Sequence, residues 1–524
     1  MLARTAQARP ALLSFLLGAV AATGLPPLDL WPVTLPCLAA WMWLVHDAPG
    51  LKPALLRGWL FGVGHFALAL NWLQHPFIYQ DAMPHWLGYL GVVLIAIYVA
   101  LYPMLAAGLA WRFASPRSTG DAVTRPGPGY ILVFGAAWIV TEWLRGTMLT
   151  GFPWNPLGAI WVPTIGIAWL AKWIGTYALS GLTVVLAGAL LLPFRLRWAV
   201  PAFLAAGLAA VFCVLVAAPP RQIVRATDPL VRIVQTNLGE EERPTPDYPE
   251  NNLRALEALG GAPGTHPRLI VWPEGALRFL VEDGYPPNYY YYRGAARAIR
   301  HRIAAALGPN DLVLTGGNAL QFDALGELEA GTNSIFALDA AGGIRARYDK
   351  AHLVPFGEYL PLRPLLTRFG LQRLVPGDLD FAAGPGPRTT ALPGFGRIGM
   401  AVCYEIIFSG QVVDPAQRPS LIFNPSNDAW FGNWGPPQHL AQARLRAIEE
   451  GVPIIRSTPT GISAVIDADG RLLATIPLHM AGTIELPLPA AHAPTLFSRL
   501  GNWMALIVAG AMLFFAVAIR RAAR

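Results

Sequence analysis

Long apolar runs dominate the first 218 residues. They recur at roughly 10–24, 30–46, 56–74, 86–110, 129–146, 170–193 and 197–218, and an eighth, Trp503–Ile519, lies near the C-terminus. Several approach the ~20 residues a helix needs to cross a bilayer. The pattern therefore predicts eight spans. The first is the weakest, being short and broken by Gly24-Leu-Pro-Pro27; a cleavable signal peptide is the alternative for it. From residue 229 the pattern changes. Short β-branched runs, at Leu230–Gln235, Arg268–Trp272, Asp311–Thr315, Asn333–Asp339, Ile344–Tyr348, Arg397–Val402, Leu421–Asn424, Pro453–Ser457 and Ile462–Asp467, predict strands. Helical stretches at Asn251–Leu259, Arg293–Leu307 and Leu440–Glu450 alternate with them. That alternation predicts an α/β sandwich.

Composition sharpens this division. The chain of 524 residues is 54% hydrophobic and 14% charged, too apolar for an ordinary soluble protein. Only five of its 32 acids precede residue 219. The expected organisation is a membrane bundle of seven spans over 1–218, a water-facing domain over 219–498, and a C-terminal span with a basic tail over 499–524. Lys and Arg gather in alternate loops: Arg4 and Arg9, Lys52 and Arg57, Arg112 to Arg125, Arg195 and Arg197, and Arg520 to Arg524. The positive-inside rule then places both termini in the cytoplasm and the domain outside, which in a bacterium is the periplasm. The net charge of +7 is accounted for by this topology, and no aromatic-basic stripe suggests nucleic acid. Glu142-Trp-Leu-Arg145, before the loop at Gly151-Phe-Pro-Trp154, predicts either a packing ion pair or a contact with a lipid headgroup.

Three positions in the domain carry chemistry. Glu274 ends Val-Trp-Pro-Glu, Lys350 ends Tyr-Asp-Lys, and Cys403 follows the apolar run Gly399-Met-Ala-Val402. Cys403 is the single cysteine of the domain, so no disulfide framework exists there. Singly, each has a bland reading: a buried thiol, a loop acid, a solvated lysine. Together they supply a nucleophile, a carboxylate to move its proton and a cation for an oxyanion. No metal site is expected, because His352 and His439 lack partners at ligand spacing.

Trp272-Pro-Glu274, Tyr348-Asp-Lys350 with Pro355-Phe-Gly-Glu358, and Cys403-Tyr-Glu405 resemble the nitrilase, or carbon–nitrogen hydrolase, superfamily. Asn424-Pro-Ser-Asn-Asp-Ala-Trp-Phe431 and Gln438-His through Arg446 match as well. A domain of that kind between membrane spans is similar to the apolipoprotein N-acyltransferase family. The resemblance implies an α-β-β-α sandwich and a Glu274, Lys350, Cys403 triad. It implies a phospholipid acyl donor, typically phosphatidylethanolamine, and a Cys403 thioester. The acceptor would be the N-terminal diacylglyceryl-cysteine of an apolipoprotein. It implies no cofactor, and a monomer in the bacterial inner membrane. Glu358 would support Lys350, Tyr404 and Glu405 would shape the pocket, and Asn333 is a weaker match to a site residue. Tyr359 to Leu374 interleaves leucines with Arg363, Arg368 and Arg373, and is expected to be an arm in the headgroup layer. The loop after the first soluble strand lacks the tryptophan often found there in the family. Two other readings remain open: a tethered amidase acting on a small periplasmic amide, and a transporter with a regulatory domain.

Overall fold

The computed structural model describes residues 9–79, 83–115, 125–192, 229–290, 294–374 and 380–522. Its first half is helical: α1 (Pro10–Ala22), α2 (Trp31–His46), α3 (Leu51–Ala69), a 3-10 segment (Asn71–Tyr79), α4 (Leu87–Val99), α5 (Leu101–Ala114), α6 (Pro128–Thr147) and α7 (Ala171–Ala189). Small residues let these helices touch. A Cβ on Gly18 of α1 would lie 1.9 Å from the Phe61 carbonyl, and one on Gly64 of α3 would lie 2.1 Å from that of Phe15. Backbones can approach this closely only over glycine, the packing expected where no water drives helices together.

The expectation of eight spans is not met. Among the described residues, two helical segments, Leu87–Ala114 and Trp503–Ala522, are long and apolar enough to cross a membrane. Helix α3 and the 3-10 segment after it, bent by 46°, would add a third if they form one span. Apolar composition does not by itself give a helix the length to span. Helices α1 and α2 have 13 and 16 residues, short of the ~20 required. Helix α6 ends its run on Glu142 and Arg145, and α7 is kinked at Gly175. The expected seventh span, 197–218, lies outside the described residues.

The second half is the α-β-β-α sandwich. Its strands are β1 (Leu230–Gln235), β2 (Arg268–Val271), β3 (Leu312–Phe322), β4 (Leu328–Asp339), β5 (Ile344–Asp349), β6 (Thr389–Leu392), β7 (Gly396–Met400), β8 (Leu421–Pro425), β9 (Ile454–Ser457), β10 (Ser463–Ile466), β11 (Leu472–Ile476) and β12 (Gly482–Pro487). They form two six-stranded sheets, ordered β12-β1-β2-β3-β4-β5 and β11-β10-β9-β8-β7-β6. In each, the central strands run parallel and the flanking ones antiparallel. Val231, Ile233, Leu269, Val271 and Leu314 of the first sheet meet Ile398, Phe423, Ile455 and Val465 of the second in one core. Helices α8 (Tyr248–Gly260) and α9 (Ala295–Ala304) cover the first sheet through Leu253, Leu256, Ile299 and Ile303.

Helix α10 (Gly435–Glu450) packs on the second sheet, and α11 (Trp503–Ala522) packs on α6. Helix α10 has proline in its first turn and ends at Gly451, which is left-handed at φ 63°. Those are the start and stop signals of a capped helix. It is buried along nearly its whole length because it lies between the sandwich and the bundle. Gln438 at its start donates to the carbonyls of Pro26 and Ala69 at 3.0 and 3.1 Å and accepts from Trp154 Nε1 at 2.9 Å.

Candidate active site

The three motif residues meet at the C-terminal edges of the sheets. Glu274 follows β2 in a turn that presses against Gly316 of β3. A Cβ there would sit 2.6 Å from the Pro273 carbonyl and 2.7 Å from Glu274 Cα, so a larger residue would push the acid out of place. Lys350 follows β5, and its amide continues the ladder by donating to the Asn333 carbonyl at 2.9 Å. Cys403 follows β7 and opens the 3-10 turn Cys403–Ile407. Its φ of 49° is left-handed, a conformation that non-glycine residues adopt only when their surroundings hold it.

Lys350 is 1% exposed and lies between two carboxylates. Its Nζ is 2.9 Å from Glu358 Oε1 and 3.5 Å from Glu274 Oε1. Asn333 Nδ2 donates to the same two oxygens, at 2.7 Å to Glu274 and 2.9 Å to Glu358. Backbone amides take the outer oxygens: Asn427 donates to Glu274 Oε2 at 2.7 Å, and Val354 to Glu358 Oε2 at 2.9 Å. Burial alone would pull the ammonium down, but Glu358 and then Glu274 outweigh it and hold Lys350 well above the usual lysine range. The lysine is therefore a fixed cation.

Cys403 is buried beside this cluster. Burial, and then the charge of Glu274, push its thiol well above the usual cysteine range, and Lys350 opposes them. The resting residue is a neutral thiol. Any chemistry through a thiolate at this position would need a base at hand to form it.

Glu405 and Tyr404 stand apart from the cluster. Glu405 accepts from Tyr348 Oη at 2.9 Å, from the amides of Ala351 and His352 at 2.8 and 3.0 Å, and from that of Val402 at 2.6 Å. It bolts the turn after Lys350 to the turn that opens on Cys403. Burial pushes this carboxyl up, and those amides draw it back. Tyr404 Oη donates to the Gly151 carbonyl at 3.1 Å, and His352 Nε2 to that of Thr150 at 2.7 Å, both in the loop after α6. Arg145 Nη1 fixes that loop by donating to the carbonyls of Phe152 and Trp154 at 2.8 and 2.7 Å. Glu142, 3.8 Å from Arg145, accepts from Leu157 N at 2.9 Å. These contacts are the ones the packing reading of this pair expects.

Sequence reasoning had not singled out Asn427, whose amide meets Glu274, or the cluster behind Cys403, where it named His439 only in setting aside a metal site. In that cluster Asp428, His439 and Arg456 are all 0–1% exposed, and His439 Nε2 faces the Cys403 carbonyl at 3.1 Å. Asp428 and His439 lie inside the motif runs already noted, and that is the signal they offered. Arg456 in β9 offered only its place in an apolar strand. Among the described residues no group of His, Cys, Asp and Glu is arranged to hold a metal ion.

Residues 17–189 match the family described as apolipoprotein N-acyltransferase N-terminal domain, and residues 230–491 match carbon–nitrogen hydrolase. An apolipoprotein N-acyltransferase of Rhodopseudomonas palustris is 32% identical, with 98% of this chain and 95% of the relative covered. One from Bradyrhizobium diazoefficiens is also 32% identical, over 98% and 96% of the two chains. One from Caulobacter vibrioides is 33% identical, over 95% and 92%. Sandwich, buried site residues and helical half thus lie within one match that runs almost end to end, and the chain belongs to the apolipoprotein N-acyltransferase family, acyltransferases with a carbon–nitrogen hydrolase domain.

Proposed function

We propose that the protein N-acylates the N-terminal diacylglyceryl-cysteine of apolipoproteins, taking the acyl chain from a phospholipid through a thioester on Cys403. The observation that carries this is the Lys350 ammonium held between Glu274 and Glu358 next to a buried thiol. Glu274 takes the thiol proton as Cys403 Sγ attacks the sn-1 ester carbonyl carbon. The carbonyl oxygen becomes an oxyanion, and Lys350 stabilises it. The ester C–O bond breaks, Glu274 returns the proton to the leaving glycerol oxygen, and a lysophospholipid departs. The α-amine of the acceptor then attacks the thioester carbon. Glu274 takes a proton from the amine, the C–S bond breaks, the proton passes to the thiolate, and an amide is released. Asn333 keeps the two carboxylates aligned on Lys350, and Glu358 completes the charge balance. Tyr404 and Glu405 shape the pocket by holding the turns around it.

Phosphatidylethanolamine is the donor in this reading, and the enzyme is a monomer. Residues 1–218 and 499–524 lie in the inner membrane, with both termini cytoplasmic, and residues 219–498 form the periplasmic catalytic domain. The arm after Glu358 supports a membrane-facing site: Leu362, Leu365 and Phe369 are 73%, 49% and 74% exposed. Such side chains suit an interface better than water. The decisive measurement is mass spectrometry of the protein after incubation with phosphatidylethanolamine alone. The expected result is one acyl thioester on Cys403, absent from Cys403→Ala. A Cys403→Ala protein that still acylates a diacylated lipopeptide would sink the mechanism. Hydrolysis of small amides without lipopeptide acylation would favour an amidase.

A further inference from the structure

Helix α10 grips the nucleophile turn at both ends. His439 Nε2 lies 3.1 Å from the Cys403 carbonyl, and Arg446 Nη1 donates to the Ile407 carbonyl at 3.0 Å. A carbonyl can only accept, so Nε2 must carry the hydrogen. That leaves Nδ1 as the lone-pair atom. Arg456 Nη2, at 3.0 Å, donates to it. Asp428 Oδ1, 3.1 Å from Nδ1, cannot bond to that tautomer and instead receives Arg456 Nη2, which is 2.6 and 2.7 Å from its two oxygens. Burial, and then Arg456, hold His439 below the usual histidine range, so the ring is neutral at neutral pH. Arg456 also donates through Nη1 to Asn424 at 2.6 Å and Ser426 at 2.8 Å. The imidazole is thus held in place from both ring nitrogens, and its Nε2–H is spent on the residue whose backbone is left-handed.

We propose that His439, held by Arg456 and Asp428, is a positioning residue for acyl transfer: its Nε2–H on the Cys403 carbonyl maintains the backbone that presents the thiol. This rests on Cys403 being the nucleophile. The role is one of aim, because His439 exchanges no proton with substrate. A nucleophile displaced by about an ångström loses rate while its binding site stays intact.

The test uses the full-length protein with phosphatidylethanolamine and the variants His439→Ala, His439→Asn and His439→Gln. A glutamine amide reaches about as far as imidazole Nε2; an asparagine amide reaches only as far as Nδ1. The readout is the rate of thioester formation per folded molecule across phospholipid concentrations. Ala and Asn should slow the saturated rate about 10- to 100-fold with KM little changed, and Gln should restore most of it. Equal behaviour of Asn and Gln overturns the proposal, as does a loss that lies in KM or in the folded fraction alone. If all three variants fail to fold, the histidine is purely structural and the proposal falls too. Should Cys403→Ala still form the adduct, the parent reading fails instead, and the two failures are told apart by that control.

Discussion

Two buried charge clusters in this protein look alike on paper and behave differently. At the end of α6, Arg145 and Glu142 are nine-tenths or more buried and 3.8 Å apart, yet most of their hydrogen bonding goes to backbone. Arg145 holds the carbonyls of Phe152 and Trp154, and Glu142 holds the amide of Leu157. At the edge of the sheets, Lys350 meets the carboxylates Glu274 and Glu358, which also share one asparagine amide. A charge consumed by the backbone fixes a loop. A cation such as the Lys350 ammonium, bonded to a side-chain carboxylate and not to backbone carbonyls, can exchange its partners during a reaction. Buried ion pairs are weak evidence for stability in either case; what separates these two is where the remaining hydrogen bonds go.

That contrast can be broken experimentally. The largest effect should come from Lys350→Met, which leaves two buried carboxylates without their cation. Thioester formation should fall by about 10³-fold or more, as expected when an oxyanion-stabilising group is lost. Stability should fall by about 3–5 kcal/mol, the usual cost of orphaning a buried charge. Arg145→Met should cost a similar amount in thermal unfolding yet keep thioester formation per folded molecule within about ten-fold, since only the loop behind Tyr404 and His352 loosens. If folded Arg145→Met protein makes no thioester, the distinction collapses. Next in size is Asn333→Leu, which removes both amide donors from Glu274 and Glu358. The expected loss is about 10- to 100-fold in thioester formation, equivalent to leaving buried acceptors unpaired at about 1–3 kcal/mol. Unchanged kinetics would mean that Lys350 alone organises the carboxylates.

The cluster of Glu274, Lys350 and Cys403 was legible for a local reason. Glu274, Lys350 and Cys403 each follow a strand, so a short extended segment points at each of them. β1 was expected at the bounds observed, and β8 to within one residue, because buried parallel strands are continuous apolar runs. Strands β6, β11 and β12 were missed. β6 is four residues long, β11 exposes Leu472 and Leu473, and β12 finds its partner β1 about 250 residues earlier in the chain. Nothing local marks such strands. The same is true of Arg456, whose meaning depends on Asp428 and His439, 28 and 17 residues away. The spans failed differently: apolar composition recorded burial among helices as readily as it recorded lipid.

A third buried site, with no effect expected on thioester formation, sharpens the comparison last. Glu450, at the end of α10, is 2% exposed; burial pushes it up to about 7, and neighbouring Glu449 adds to this against the opposing pull of Ser498, Arg446 and Arg418. Here neither backbone nor counter-charge fully compensates. A carboxyl whose folded value is raised from about 4.5 to about 7 contributes stability that is fully present below about pH 4.5. That contribution is lost as pH rises through about 7, where the native state must hold a buried anion. Glu450→Gln keeps the shape and removes the titration. The variant should match the wild type near pH 4.5 and become more stable than it at pH 8, by up to about 3 kcal/mol. Thermal unfolding at the two pH values measures the difference. A gap that does not widen with pH would show that Glu450 is as well compensated as Lys350 and Arg145, and that the end of α10 is no weaker than the clusters it connects.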